Sequence, residues 1–351
     1  MVTTRVRIDR IASSTRNARI GHDVLLGPDI VCREGYVIAV RLLHDKTVYN
    51  EVEDPSGRFI RLRAGDTLAG TLGHRRALRG YAGEVPESLV PGDVVQVLNM
   101  GGVLGRCTAI NPDLGKPFDA EVLGAVLVFP RLGDRVGRPA HIGENAVPQS
   151  DRLECTVPVV YVAGTCMNSG KTMAAAEIVH GLSRVGVKVA AAKLTGVALR
   201  RDALAMVDAG AVAALTFNDA GIVSTSEAAA VPTARGLLNE LARVHKPDVI
   251  VAELGDGVLG EYGVAAILAD KPLMSLCAAL VACAPDQVAS WGIVRVLDER
   301  FSLRPTVISG PATDNEVGCR FIREELGLPA HNARRGDGAL AAVVLEAIRA
   351  R

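Results

Sequence analysis

A chain of 351 residues carrying 39 Lys+Arg against 39 Asp+Glu has no net charge to draw it to nucleic acid or to an anionic membrane, and neither is expected as a partner. Apolar residues make up 49%, yet Gly, Pro or charge breaks every apolar run well short of the ~20 residues a membrane-spanning helix needs. Arg5, Arg7, Asp9 and Arg10 stand before no apolar core of a secretory signal, which makes a cytoplasmic protein with a small neutral or anionic substrate the expectation.

The length suffices for two domains, each with a core of its own. From the amino terminus, "VCREGYVIAV" (31–40), "GDTLAG" (65–70), "VPGDVVQVLNMGGVLG" (90–105) and "EVLGAVLVFPRLGD" (121–134) are β-branched runs separated by Pro-Gly-Asp and Gly-Gly turns. Such spacing predicts a β-rich domain over residues 1–147, small and barrel-like, with the basic stretch "HRRALRG" (74–80) on its solvated surface. A linker-like "ENAVPQSDRLE" (144–154) follows, and from 155 to 351 apolar runs alternate with amphipathic stretches of helical length. That alternation predicts an α/β domain, a parallel sheet with flanking helices.

In this second domain "VPVVYVAG" (157–164) is a strand and "KTMAAAEIVHGLSRVG" a helix closed by Gly186. "VKVAAAK", "AVAALTF", "DVIVAELGDG", "CAALVACA" and "RPTVISG" predict the remaining strands. "RRDALAMVDAG", "PTARGLLNELARVH", "PDQVASWGIVRVLDERF", "TDNEVGCRFIREELG" and "DGALAAVVLEAIRAR" predict the helices. Ligands of such sheets bind beyond the carboxyl ends of the strands, the edge where residues 164–172, Lys193 and Glu253 fall. The seven cysteines have no CxxC pairing and predict buried free thiols rather than zinc ligands.

"GTCMNSGKT" (164–172) joins the first strand of this domain to its helix. A phosphate cradle needs a strand that stops, inward-facing backbone N–H groups, a helix N-terminus, a lysine for the outer phosphates and a hydroxyl for Mg²⁺. Gly164, Thr165, Cys166, Met167, Asn168, Ser169 and Gly170 form the candidate loop, Lys171 is the cation and Thr172 the hydroxyl. The usual pattern asks for glycine at 165, and the sequence puts it one step earlier. Glu253 closes the apolar run "VIVAE", where a charge is costly to bury unless paired or metal-bound.

The loop resembles the GT-x4-GKT loop of dethiobiotin synthetase and its relatives, among them the ATP-dependent amidating enzymes of cobalamin synthesis, in which the displaced glycine is normal. The resemblance continues at "AAAKLTG" (Lys193), at "RRDALAM" against SDALAL (Asp202), and at "VIVAELGDG" against EGAGG (Glu253), where Leu254 and Asp256 depart from the pattern. It implies a P-loop domain over roughly 157–350 that binds ATP and Mg²⁺. Lys171 would neutralise the outer phosphates, and Thr172, Asp202 and Glu253 would hold the metal directly or through water. Lys193 would face the terminal phosphate or a substrate anion, and Asn315 would contact the adenine. Without an Asn-Lys-x-Asp element, GTP is the less favoured nucleotide. Cys166 occupies the place where the septum-positioning and plasmid-partition ATPases carry a second lysine, which leaves the biosynthetic branch.

Three readings follow from the residues and the resemblance. The first is an ATP- and Mg²⁺-dependent ligase, synthetase or kinase-like enzyme, expected as a homodimer, that activates a small carboxylate, carbamate or amino acid by phosphoryl transfer. A second is a nucleotide-gated binding or cofactor-delivery protein, similar to the guanine-nucleotide-binding accessory proteins of molybdenum-cofactor synthesis. The third is an amino-acid N-acyltransferase, similar to D-glutamate N-acetyltransferase-like proteins, with acetyl-CoA phosphates in the loop.

Overall fold

The computed structural model describes residues 3–78 and 80–351. It divides into two compact units: Met1–Ala146 with Val197–Arg200 and Asn218–Ser224, and Val147–Gly196 with Arg201–Phe217 and Thr225–Arg351. The β-rich amino-terminal region is present, and its unit also takes in two returning segments that lie beyond residues 1–147. Arg79 of the basic stretch lies outside the described residues, whereas Arg75 is buried and donates to Tyr49 Oη at 3.1 Å and to the Leu98 carbonyl.

Five strands organise the first unit: β1 (Val37–Leu42), β2 (Thr67–Leu72), β3 (Val94–Val97), β4 (Val103–Ile110) and β5 (Asp119–Val128). β5 pairs with β1, β1 with β2, β2 with β4, β4 with β3, and β3 again with β5. The pairing therefore returns on itself and closes a ring. Because successive side chains point to opposite faces, alternate residues fill two cores. Ile38, Val40, Leu42, Leu68, Leu72, Val95, Val97, Leu104, Ala120 and Val122 gather with Leu62 and Phe118 in one. Val37, Ala39, Ala69, Val103 and Val126 join Ile8, Ile11 and Ala18 in the other. Val122 and Val126 share parity but not a core, because the β5 register shifts between Val122 and Gly124, where Gly124 has φ 147°. That bulge exchanges the two faces.

Ala198 and Val223, from the returning segments, belong to the second of these cores. Asn99 Nδ2 donates to the Ala198 carbonyl at 2.8 Å, and Ser224 N donates to the Glu34 carboxylate at 2.8 Å. Arg200 N donates to Glu53 at 2.7 Å, while Arg16 pairs with Asp219 at 2.6 Å.

The second unit holds an all-parallel sheet of β6 (Val159–Gly164), β7 (Val189–Thr195), β8 (Ala214–Thr216), β9 (Val249–Leu254), β10 (Cys277–Cys283) and β11 (Val307–Ser309). Their spatial order is β8-β7-β9-β6-β10-β11. Every residue of β6, β7 and β9 is buried, as continuous Val/Ala runs in a sheet covered on both faces require. Helices α1 (Lys171–Arg184), α2 (Arg201–Asp208), α3 (Glu227–His245), α4 (Val264–Ala269), α5 (Lys271–Ser275), α6 (Gln287–Phe301), α7 (Glu316–Leu326) and α8 (Ala339–Arg349) accompany it. Ala174, Ala175, Ile178, Val179 and Leu182 of α1 pack with Leu340 and Val344 of α8 on Val160, Val162, Val189, Val251 and Val281.

α3 begins five residues before the Pro232 at which the sequence reading started it. Ser226 caps it by accepting from Ala229 N, and Pro232 sits inside the helix. The cap satisfies an orphan donor of the first turn and offsets the hydrogen bond that the proline lacks. α4 and α5 were not read from the sequence. Among the described residues no helix is long and apolar enough to cross a membrane, and all seven cysteines are free.

Candidate functional site

β6 stops at Gly164 and α1 starts at Lys171. Between them the chain is still anchored at its first step, because Thr165 N donates to the Cys283 carbonyl at 3.1 Å, continuing the β6–β10 ladder. This explains the displaced glycine. A Cβ at position 164 would stand 2.3 Å from Ser169 Oγ and 2.9 Å from Lys171 Cγ, so the tight place in the loop is 164, and a side chain is tolerated at 165. At the far end Gly170 has φ 96° and lies against Gly310; a Cβ on it would meet Gly310 Cα at 2.8 Å. Asn168, at φ 61°, supplies a second left-handed step within the loop.

α1 has no side-chain cap and no acidic residue in its first turn, whereas Ser226, Asp286 and Asn315 cap α3, α6 and α7. No side chain among the described residues satisfies its first N–H groups, and the positive end of a helix dipole is a place where an anion can bind. Lys171 is 6% exposed; its Nζ donates to the Cys166 carbonyl at 2.8 Å and to Ser169 Oγ at 3.4 Å. Burial pushes this ammonium below the ordinary lysine range, against the pull of Glu253. The ammonium is thus folded into the loop and held by neutral acceptors, the Cys166 carbonyl and the Ser169 hydroxyl.

Glu253 stands next to the cradle because β9 is the neighbour of β6, with Val162 and Glu253 in register, and Lys193 of β7 opposes Glu253 from the other side. Glu253 is 1% exposed. Its Oε1 accepts from Thr172 Oγ1 at 3.1 Å and from Lys193 Nζ at 2.8 Å, and Lys193 also bonds Asp202. Burial alone would lower Lys193, but Asp202 and Glu253 outweigh it and raise the ammonium above its usual range. For Asp202 burial is likewise overcome by Lys193, and with help from the Thr172 hydroxyl its carboxyl is held below the usual carboxylate range. Glu253 Oε2 is buried with no hydrogen-bond partner, a costly state for a carboxylate oxygen.

Thr172, Lys193, Asp202 and Glu253 are thus brought together under the loop, with Lys193 lodged between the two carboxylates. Asn315 caps α7, its Oδ1 accepting from Val317 N at 3.0 Å and Gly318 N at 3.3 Å. Among the described residues no group of three or more His, Cys, Asp and Glu forms a metal cage. The donors that are present, a hydroxyl and two carboxylates with one oxygen unpartnered, suit Mg²⁺, which takes one or two protein carboxylates and completes its shell with phosphate and water.

The turn that the sequence expects after Glu253, GDGVLGEYG (255–263), is a further contributor. After Glu253 the chain turns through Gly255, Asp256 and Gly257, with Asp256 at φ 72°. Thr195 Oγ1 donates to the Gly255 carbonyl at 2.9 Å, and Val258 N donates to the Gly164 carbonyl at 2.9 Å. The turn is therefore tied to the end of β7 on one side and to the start of the cradle on the other. Gly-Asp-Gly after a buried acidic residue was the available signal.

The parallel strand-loop-helix unit, with an acidic residue ending the adjacent strand, is a P-loop architecture. No family model matches the chain, and no curated protein matches it. Solved structures similar to it include a DUF1611 family protein from Anabaena variabilis, at 17% identity over 59% of this chain and 63% of that one, with a TM-score of 0.35. Others are the cell division protein FtsY from Thermotoga maritima (13% identity, 60% of this chain, 78% of that one, TM-score 0.38) and HypB from Helicobacter pylori in complex with nickel (14%, 55%, 88%, 0.35). The chain spans less than two thirds of the first of these, and none lends support to a dethiobiotin synthetase-like assignment.

Proposed function

We propose that the second unit binds a nucleoside triphosphate complexed with Mg²⁺ and that the protein works as a nucleotide-gated binding or delivery protein. The observation that carries the nucleotide is the uncapped α1 with Lys171 folded into its loop above the Thr172–Glu253–Lys193–Asp202 chain of contacts. Lys171, in place of its bond to the Cys166 carbonyl, and the first-turn amides of α1 would hold the phosphates, and Thr172 and Glu253 would hold Mg²⁺. When bound, Mg²⁺ neutralises the charge that develops on the outer phosphates.

Chain connectivity favours gating over simple synthesis. Gly196, three residues after Lys193, is the last residue before the 197–200 segment of the first unit, and Arg201 begins the return one residue before Asp202. The second departure is tied to the first, since Thr225 Oγ1 accepts from Gly196 N at 2.9 Å and donates to the Tyr262 carbonyl at 2.8 Å. A ligand that moves Lys193 or Asp202 therefore pulls on covalent connections into segments 197–200 and 218–224.

Isothermal titration with ATP, GTP and CoA, paired with phosphate release against amino and dicarboxylic acids, tests the reading. Nucleotide binding with little turnover on any acid is expected. Lys171→Ala should weaken binding by roughly 2–3 kcal/mol, as loss of charge-assisted hydrogen bonds implies, with an unchanged far-UV spectrum. Rapid acid-dependent phosphate release would make the protein a ligase or kinase instead, and a response to CoA alone would make it an acyltransferase.

A further inference from the structure

A third carboxylate, Asp256, stands on the turn that follows Glu253, on a left-handed backbone step. Asp256 adopts φ 72°, a left-handed step that glycine takes freely and that asparagine and aspartate take more readily than other residues. The turn tolerates no relaxation on either side. A Cβ on Gly255 would stand 2.2 Å from the Thr195 carbonyl oxygen and 2.8 Å from Lys193 Cε, and one on Gly257 would stand 2.3 Å from the Thr165 carbonyl oxygen. Asp256 is thus bracketed between the strand that carries Lys193 and the second residue of the phosphate loop. Its carboxylate is fixed as well. Oδ2 lies 2.1 Å from where a Gly260 Cβ would be, so only glycine fits there, and the carboxylate accepts the Gly257 N–H. Burial raises its carboxyl above the usual range, while Lys171 and Lys193 both act on it in the opposite sense, which places it within the field of both ammonium groups.

Counting the charged neighbours of these carboxylates as well, Asp202, Glu253, Asp256 and Glu261 stand against Lys171, Lys193 and Arg201, one excess negative charge before any ligand enters. Glu253 Oε2 adds an independent sign of an acceptor without its donor or cation. A free polyphosphate meets repulsion at such a site, and the same polyphosphate carrying a divalent cation does not. We propose that Asp256 makes the cradle discriminate in favour of the metal-complexed polyphosphate, a specificity that rests on the nucleotide reading above.

The test is isothermal titration of ATP and of GTP into the full chain, wild type, Asp256→Asn, Asp256→Gly and Lys171→Ala, each with excess magnesium and each with EDTA. Asn and Gly both accept the left-handed backbone, so either variant should fold; Asp256→Gly should also raise the melting temperature. Wild type is expected to bind the magnesium complex much more tightly than the free nucleotide. Removing the Asp256 charge should tighten metal-free binding about tenfold and shrink the magnesium preference by a similar factor, on the scale of one unit charge about 12 Å away at an effective dielectric of about 20. An unaltered magnesium preference in both variants overturns the role of Asp256 and leaves the nucleotide reading standing. Wild type that binds no better than Lys171→Ala overturns the nucleotide reading, and this inference goes with it.

Discussion

Lys193 is the residue on which the charge balance of the cradle turns. The sequence reading aimed its ammonium at a phosphate or substrate anion; in the structure it lies between Asp202 and Glu253. Withdrawing it leaves Glu253 buried and uncompensated, so Lys193→Met should cost about 3–5 kcal/mol in a urea titration. The double variant Lys193→Met/Glu253→Gln should recover part of that loss, and additive costs would mean the two do not depend on each other. The pH dependence follows from the same contacts. Asp202 is depressed in the folded state, so its contribution is present above its unfolded value of about 4 and is lost as pH falls through the lower folded value. Lys193 is raised, so its contribution is complete below the unfolded value of 10.5 and is lost only as pH rises beyond that. Urea midpoints between pH 3 and pH 7 should therefore fall less steeply for Asp202→Asn than for wild type.

The helices differ in how their first turns are satisfied: Ser226, Asp270, Asp286 and Asn315 cap α3, α5, α6 and α7, while α1, α4 and α8 start at a left-handed glycine without a side-chain cap. Ser226→Ala should cost about 1 kcal/mol, the usual worth of a lost cap, with no effect on nucleotide affinity, because α3 uses its cap only to hold its own backbone. On the proposed nucleotide reading, the comparable groups of α1 would bond the phosphate. Much of this was legible in the sequence. The strand ending at Gly164, the helix from Lys171 and the buried Glu253 follow from an apolar run, a glycine pair and one charge. Register was not legible: that Lys193 opposes Glu253 depends on which strands become neighbours. Nor was the start of α3, where a proline imitates a first turn and the true cap lies six residues earlier. The departure at Asp256 was noticed as a letter, and only the backbone angle gives it meaning.

The linear division at 147 describes where the β-rich texture ends, not where the first unit ends. Ala198 and Val223 fill one of its cores, and the Ala198 carbonyl and Ser224 amide satisfy Asn99 and Glu34. A fragment of residues 1–146 would lack all four, leaving two cavities and buried polar groups without partners. It is expected to fail to give a cooperative thermal transition, whereas the full chain gives one; a sharply melting fragment would refute this. Sequence periodicity cannot announce such returns, because a four-residue and a seven-residue segment are shorter than the windows in which a pattern shows.

The closed circuit of β1 to β5 also bears on self-association. Each of those strands already has a neighbour on both sides. The described strands at the ends of the sheet orders are short: Thr4–Arg7 and Arg75–Arg76, with Glu51–Glu53 and Phe59–Arg61 of a separate two-stranded sheet, in the first unit, and β8 and β11, three residues each, in the second. Short margins offer few free amides and carbonyls to an incoming chain. A homodimer of this protein would then be assembled through helices and loops rather than by one sheet extending another, and crowded or heated samples should resist the edge-to-edge stacking that leads to fibrils.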